Sequence, residues 1–120
     1  MIKKEVEKKI TVIIPSKVAD GNLINCISRI RKFYNNIKII LVLDENSKLK
    51  FNKNIKILTS GSETIGFKRN LGAKHVKTSL ICLIDSDAYP NSHWLNESLK
   101  ILSDKKIAAA GGPNLSPKTN

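Results

Sequence analysis

The sequence predicts an α/β fold, a mostly parallel sheet flanked by helices, because short apolar runs alternate with amphipathic segments along its 120 residues. The clearest run, residues 80–84, contains five apolar residues without alternation, which is typical of a strand buried on both faces of a parallel sheet. A hydrophobic content of 41% is sufficient for one domain with a core. We therefore expect a single domain organised around residues 80–84, with right-handed crossovers between parallel strands.

The expected elements follow the order of these patterns. Apolar runs predict strands at residues 10–14, 37–43, 55–58, 80–84 and 107–110. Helices are predicted after a cap at Asp20 or Asn22, from Thr64, and from Pro90, which suits the first turn of a helix. The residues spaced to face the core are Leu23, Ile27, Ile30 and Tyr34 in the first helix, Phe67, Leu71 and Val76 in the second, and Leu95, Leu99 and Leu102 in the third.

The segment before the first strand is highly charged. Residues 1–9 contain six Lys and Glu side chains, so we expect a mobile, solvated lead-in to a domain of residues 10–120. The turn at residues 111–114 contains Gly-Gly-Pro-Asn, where missing side chains would let the backbone approach a ligand.

The charge of the chain does not predict a nucleic-acid partner. The formal net charge is +11, but only three of the 21 basic residues are Arg. Phosphate and base recognition favour Arg, with stacking aromatic residues between the charges. Lys, Ile and Asn, which all have A/T-rich codons, are abundant, so a biased genome composition accounts for most of the charge. We therefore expect no nucleic-acid binding.

Cysteine, histidine and hydropathy patterns exclude several other classes of protein. Cys26 and Cys82 are isolated and predict reduced core residues, whereas His75 and His93 are too far apart to form a metal pair. No apolar run approaches the roughly 18 residues of a membrane span, and nothing resembles a signal peptide. We therefore expect a cytoplasmic protein.

Acidic residues follow two of the predicted strands. Asp85 and Asp87 end the run at residues 80–84, and Asp44 ends the second strand. In an extended backbone Asp85 and Asp87 would point the same way and reach one ligand or cation. Open α/β sheets bind ligands at the carboxyl ends of their strands. The alternative is that these acids are ordinary turn residues after core strands.

Four motifs, in this order and spacing, carry a family resemblance. They are IIPS at residues 13–16, LDENS at 43–47, GFKRNLGA at 66–73 and IDSD at 84–87. Together they resemble the amino-terminal half of a family-two glycosyltransferase with the GT-A fold, the Rossmann-like fold of nucleotide-diphospho-sugar transferases. The resemblance extends over residues 10–117, and it implies a sheet that is incomplete at the carboxyl end.

The resemblance implies a binding site for a nucleotide-diphosphate sugar. It places Pro15, Ser16 and Asp44 at the nucleotide base and ribose, and Arg69 at the diphosphate. It places Asp85 near the ribose.

The resemblance also implies a divalent cation, Mn²⁺ or Mg²⁺, held by Asp87 together with diphosphate oxygens and water. The cation and the basic residue would stabilise the charge that builds up on the leaving nucleoside diphosphate.

The implied reaction is an inverting transfer of a sugar to a saccharide or lipid-linked acceptor, in cell-envelope polysaccharide biosynthesis. Such a transfer needs a general base near the acceptor, and residues 107–120 contain no acid, so we expect the base beyond Asn120 and no turnover by the chain alone. Membrane association, at the inner face, is expected only through segments outside the chain.

Three other classes remain open. Haloacid-dehalogenase phosphatases also place Asp-x-Asp after a strand, but that motif usually opens the domain and precedes a small or branched residue where Tyr89 stands. Nucleotidylyltransferases need a glycine-rich basic loop after the first strand, and residues 15–18 are Pro-Ser-Lys-Val. A non-catalytic nucleotide-binding module is the third class.

Overall fold

The computed structural model describes residues 2–48, 54–91 and 94–111, which form a four-stranded parallel sheet with helices on both faces. The elements, in chain order, are α1 (Ile2–Lys9), β1 (Ile10–Pro15), α2 (Gly21–Phe33), β2 (Lys38–Leu43), β3 (Ile55–Thr59), α3 (Ile65–Ala73), β4 (Leu80–Leu83) and α4 (Trp94–Leu102). The predicted α/β class with a parallel sheet is confirmed.

The strand order is β3-β2-β1-β4, so β1 lies between β2 and β4. In the register of the sheet Ile13 pairs with Ile40 on one side and with Leu83 on the other. Because every pairing among these strands is parallel, their carboxyl ends lie along one edge of the sheet. This edge is called the carboxyl edge below.

One face of the sheet is covered by α1, α2 and α4. The Asp20 side chain accepts a hydrogen bond from the Leu23 backbone N–H over 3.0 Å, which caps α2 as the sequence predicts. The predicted core stripe of α2 is confirmed. The buried core cluster on this face contains Val6 of α1, four residues of α2, Tyr34 directly after α2 and Leu95 of α4; the α2 residues are Leu23, Cys26, Ile27 and Ile30.

The other face is covered by α3, which packs on β1 and β2. The helix approaches the sheet closely at Gly72, where a Cβ atom would lie only 2.8 Å from the Ile13 Cγ2 atom. Leu71 and Val76 pack against the same part of the sheet, as predicted. A side chain at position 72 would push the helix outward, so the glycine sets the distance between α3 and the sheet.

The predicted inward position of Phe67 is wrong. Its side chain is 47% exposed, whereas the next residue, Lys68, is only 2% exposed. Lys68 and Gly72 lie four residues apart and share the face of α3 that contacts the sheet. The face of α3 that contacts the sheet therefore contains Lys68 and Gly72 and not Phe67, because the helix comes closest to the sheet at the glycine.

Two expectations about the sheet are also wrong for the described residues. The strand at residues 80–84 is not buried on both faces; β4 lies at the edge of the described sheet, with Ile81 and Leu83 exposed, because α3 covers β1 and β2 and leaves β4 open. Residues 107–110 form no strand and are exposed. Three of these four residues are alanine, which bury little apolar area and add little to sheet formation.

The charged lead-in is helical rather than mobile. It forms α1, and Val6 is fully buried in the core cluster that also contains Leu95 of α4. Its other side remains a solvated charged face, as predicted, with Lys3, Lys4 and Lys8 exposed. One buried valine is enough to fix the helix because α4 packs across it.

Several expectations involve residues outside the described ranges. They concern His93 and residues 112–114 of the Gly-Gly-Pro-Asn turn. Pro90 is described; it is buried and precedes α4, which begins at Trp94, so Pro90 does not lie in the described part of that helix.

We predict that Gly72→Ala will destabilise the chain, whereas Gly66→Ala will not. The new methyl group at position 72 would overlap Ile13, and overpacking of this kind costs about 1–3 kcal/mol. No atom lies within 4 Å of a Cβ built at Gly66, so the same exchange there should gain helix propensity of about 0.5–1 kcal/mol. Urea unfolding of both variants measures the difference; equal free energies of unfolding would contradict the close packing.

Candidate active site

The loops after β1 and β2 lie side by side at the carboxyl edge. Pro15 is the last residue of β1, and the Ser16 backbone N–H donates to the Val42 carbonyl oxygen over 3.0 Å. The Asp44 backbone N–H donates to the Lys17 carbonyl oxygen over 3.1 Å. The structure therefore brings three of the predicted site residues together: Pro15, Ser16 and Asp44.

Asp44 forms an ion pair with Lys68, a cation that the sequence places near the amino end of α3, where it could meet a phosphate, but that the family resemblance does not place in the site. The ammonium group of Lys68 donates to Asp44 Oδ1, to Ser60 Oγ over 2.9 Å and to the Gly61 carbonyl oxygen over 3.3 Å. The Lys68 side chain is 2% exposed and that of Asp44 is 23% exposed. This pair ties α3 to the ends of β2 and β3.

Arg69, the next residue of α3, pairs with an acid on the other side of β1. Its Nη2 atom donates to Asp85 Oδ1 over 2.9 Å, and the two side chains are 37% and 60% exposed. Thr64 caps the amino end of α3 by accepting the Phe67 backbone N–H over 3.1 Å. Two consecutive cations of α3 thus hold the acids that follow β2 and β4.

The backbone turns at the second acidic motif instead of staying extended. The Ile84 N–H still donates to the Ile13 carbonyl oxygen, and this bond is the last of the ladder toward β1. The Ala88 N–H donates to the Asp85 carbonyl oxygen over 3.0 Å, which places Asp87 at the second central position of a turn. The expected alternation of Asp85 and Asp87 along a strand is therefore wrong, because the chain is free to turn once its pairing with β1 ends.

Helix α2 holds the segment that follows this turn. Arg29 Nε donates to the Pro90 carbonyl oxygen over 2.9 Å, and its guanidinium carbon lies 3.7 Å from the centre of the Tyr89 ring. The Cys26 thiol lies 3.8 Å from the Asp85 carbonyl oxygen. The acidic turn is thus anchored by hydrogen bonding and cation–π stacking to a helix of the core.

Both cysteines are free and form part of the core cluster, as predicted. Burial, followed by the charges of Asp87 and Asp85, raises the pKa of the Cys26 thiol to about 11. Burial likewise raises the pKa of the Cys82 thiol to about 12. Thiols held neutral in this way are inert and provide no nucleophile at the carboxyl edge.

The chemistry of the acidic residues limits how a metal ion can bind. In the described part of the chain, no group of three or more His, Cys, Asp or Glu side chains is placed to hold a metal. Asp87 is exposed and forms no ion pair with the described residues, so its carboxylate oxygens are available to a hard cation. Because one carboxylate does not fill the coordination shell of such a cation, most of its ligands would have to come from water or from a bound molecule.

Other candidate groups lie elsewhere. A cavity of about 470 Å³ is lined by residues of α1 and α4 and by the start of β4, so it lies toward the amino ends of the strands rather than at the carboxyl edge. The Nδ1 atom of His75 lies 3.1 Å from the Leu71 carbonyl oxygen, which is a structural contact within the end of α3.

Sequence reasoning missed the ion pair of Lys68 with Asp44 and the contacts of Arg29 with Tyr89 and Pro90. Gly72 could have indicated that Lys68 faces the sheet. A glycine in a helix can mark a close contact with the sheet, and the residue four positions earlier, here Lys68, lies on the same face of the helix and nearer the strand ends. For Arg29 the sequence contains no comparable pattern, since its partners Tyr89 and Pro90 lie about 60 residues away.

The comparisons with known proteins agree with this architecture. The family model described as "Glycosyl transferase family 2" matches residues 11–118, and the chain therefore belongs to that family. No curated protein matches the sequence.

The crystal structure of S. aureus TarS, residues 1–349, matches 88% of the chain with a TM-score of 0.67 and 18% identity. This likeness shows the GT-A fold, and the chain spans 38% of the length of the TarS chain. Among the described residues, no helix is long and apolar enough to cross a membrane.

We predict that Asp44→Ala will destabilise the fold. The substitution leaves the Lys68 ammonium group buried without its anionic partner, and breaking a buried pair in this way costs about 3 kcal/mol or more. The double variant Asp44→Ala, Lys68→Met removes both charges and should recover most of that loss. Urea unfolding provides the free energies; a double variant as unstable as Asp44→Ala would show that the pair is not the cause.

We also predict that alkaline pH will destabilise the chain through its two thiols. The unfolded thiols ionise near their ordinary pKa of 9.0, whereas the folded thiols stay protonated up to about pH 11. Between these pH values the folded state binds more protons, so each thiol lowers the free energy of unfolding by about 1.4 kcal/mol per pH unit. Urea unfolding from pH 8 to 10.5 should show a steeper decline for the wild type than for Cys26→Ala, Cys82→Ala. Parallel declines would contradict the raised pKa values.

Proposed function

We propose that the chain is the donor-binding part of a glycosyltransferase that transfers a sugar from a nucleotide-diphosphate donor to an acceptor, with assistance from a divalent cation. The observation that carries the proposal is the convergence of the acids after β2 and β4 with two consecutive cations of α3 at the carboxyl edge. Ligands of open α/β sheets bind at this edge. Membership of the family supports the same reaction class.

The nucleoside would bind beside the ends of β1 and β2. Pro15 and Ser16 supply the backbone at the end of β1, and Asp44 supplies a carboxylate that accepts hydrogen bonds from the base or the ribose. Asp44 is well suited to this role because its backbone is held on both sides, by Lys17 and by Gly61. Asp85 would accept a hydrogen bond from the ribose on the other side of β1.

The diphosphate would bind between Arg69 and Asp87. The Arg69–Asp85 pair is substantially exposed, so water and ions weaken it, and a diphosphate can replace the carboxylate as the partner of the guanidinium. Asp87 would hold Mn²⁺ or Mg²⁺, together with the oxygens of the donor. The cation supplies Lewis acidity toward the departing nucleoside diphosphate.

The acceptor side of the reaction is proposed from the family alone. A saccharide or a lipid-linked acceptor fits a role in cell-envelope polysaccharide biosynthesis at the cytoplasmic face of the membrane. The general base is not assigned to an acid of the carboxyl edge, because Asp44 and Asp85 are paired with cations and Asp87 is assigned to the metal.

The phosphatase alternative is less consistent with the geometry. In that class the first acid of the motif is the nucleophile, but here Asp85 is paired with Arg69 and follows the last strand in chain order rather than the first. A non-catalytic nucleotide-binding module would use the same edge and differ only in turnover.

We predict that the chain binds a nucleoside diphosphate and that Mn²⁺ tightens this binding through Asp87. Calorimetric titrations with UDP, GDP and dTDP, with and without Mn²⁺, measure the affinity. The cation should increase it about tenfold or more in the wild type, the equivalent of one charge-assisted contact, and should have little effect in Asp87→Asn. Asp104→Asn, which changes an exposed acid after α4, is the matched control and should behave as the wild type.

If the wild type and Asp87→Asn bind the nucleoside diphosphate with the same affinity, both with and without Mn²⁺, Asp87 is not the metal ligand. Absence of any nucleotide binding, combined with release of inorganic phosphate from a sugar phosphate, would favour the phosphatase class. Nucleotide binding without release of a nucleoside diphosphate from UDP-, GDP- or dTDP-sugars, by this chain or by a longer protein that contains it, would favour the non-catalytic module.

A further inference from the structure

Lys68 occupies an unusual position for a charged residue near a ligand site. It lies in the first half of α3, one turn before the close contact at Gly72, and its side chain is 2% exposed. Burial of an ammonium group carries a large desolvation cost unless the group is paired and hydrogen-bonded. Lys68 can therefore stay charged at this buried position only because acceptors surround its ammonium group.

Those partners use every hydrogen that the ammonium group can donate. The group has three N–H bonds, and the structure provides three acceptors: Asp44 Oδ1, Ser60 Oγ and the Gly61 carbonyl oxygen. No donor remains for a phosphate, although the helix places Lys68 directly beside Arg69. The two adjacent cations consequently have different tasks.

Asp44 is held by backbone and side chain alike, and one of its oxygens is left over. Its backbone N–H donates to Lys17, and its carbonyl oxygen accepts the Gly61 N–H over 3.0 Å. Its Oδ1 atom accepts from Lys68, whereas Oδ2 accepts no hydrogen bond from any described residue, and the side chain is 23% exposed. The result is a carboxylate whose orientation is fixed and whose second oxygen is accessible.

We propose that Lys68 is a positioning residue for nucleotide recognition: it acts through Asp44, whose carboxylate it holds so that Oδ2 accepts a hydrogen bond from an N–H or O–H group of the nucleoside. The inference rests on the proposed function, because it concerns the same site. A lysine that only braced the fold would affect stability without any link between nucleotide affinity and the carboxylate of Asp44.

A double-mutant cycle distinguishes these two roles. The set consists of the wild type, Lys68→Met, Asp44→Asn and the double variant, each titrated by calorimetry with whichever of UDP, GDP and dTDP the wild type binds, at constant Mn²⁺. Lys68→Met should weaken binding about tenfold where Asp44 is present and less than about twofold in the Asp44→Asn background, because its effect passes through that carboxylate. Lys74→Met changes an exposed lysine at the end of the same helix and should leave the affinity unchanged.

A second variant keeps the test decisive if Lys68→Met fails to fold. Ser60→Ala removes one acceptor of the ammonium group and leaves both charges in place. It should weaken nucleotide binding about two- to fivefold, again only where Asp44 is present. Circular dichroism confirms that each variant is folded.

The outcomes separate the inference from the proposal on which it rests. If the wild type binds none of the nucleoside diphosphates, the proposed function is wrong. If the wild type binds a nucleoside diphosphate, the result for Lys68→Met decides the positioning role, with Ser60→Ala taking its place if Lys68→Met does not fold. Unchanged affinity, or an equal loss of affinity with and without Asp44, overturns the positioning role of Lys68 while the proposed function stands.

Discussion

The close approach of α3 to the sheet is the constraint on which the carboxyl edge depends. Gly72 allows it, because a larger residue there would collide with Ile13. Since a helix is rigid over one turn, fixing Gly72 also fixes Lys68, four residues earlier, above the ends of β2 and β3. A glycine in the core contact thereby determines the geometry of a charged group at the edge.

The fold could be predicted from the sequence because its main signals are local. The apolar runs of β1 and β2, the Asp20 cap and the stripe of α2 each follow from residues close in the chain. The same approach failed where packing partners decide the outcome. Phe67 is more hydrophobic than Lys68, yet Phe67 is exposed and Lys68 is buried. The face of α3 that contacts the sheet is the face that contains Gly72, and hydrophobic periodicity does not reveal this choice.

The sequence indicates which residues form the candidate site, but it does not indicate which of them pair with each other. The strand ends predict Asp44 and Asp85 and the family resemblance adds Arg69, yet the sequence does not show which cation pairs with which acid. That pairing depends on the rotation of α3 about its axis and on the position of β4 beside β1. The turn at Asp87 was missed for a related reason, since the point at which a strand stops depends on its neighbour and not on its own residues.

The three acids of the carboxyl edge divide by how firmly they are neutralised, and this division determines what each can do. The Lys68 side of the Asp44–Lys68 pair is buried, and separating the pair would leave an unpaired charge away from water, so we expect the pair to persist if a ligand binds. The Asp85–Arg69 pair is exposed and contributes at most about 1 kcal/mol, so either partner can exchange the other for a ligand at little cost. Asp87 has no cation among the described residues, which leaves its carboxylate available to the proposed metal ion. The degree of burial, more than the position of each acid in the sequence, therefore distinguishes the fixed Asp44–Lys68 pair from the exchangeable Asp85–Arg69 pair.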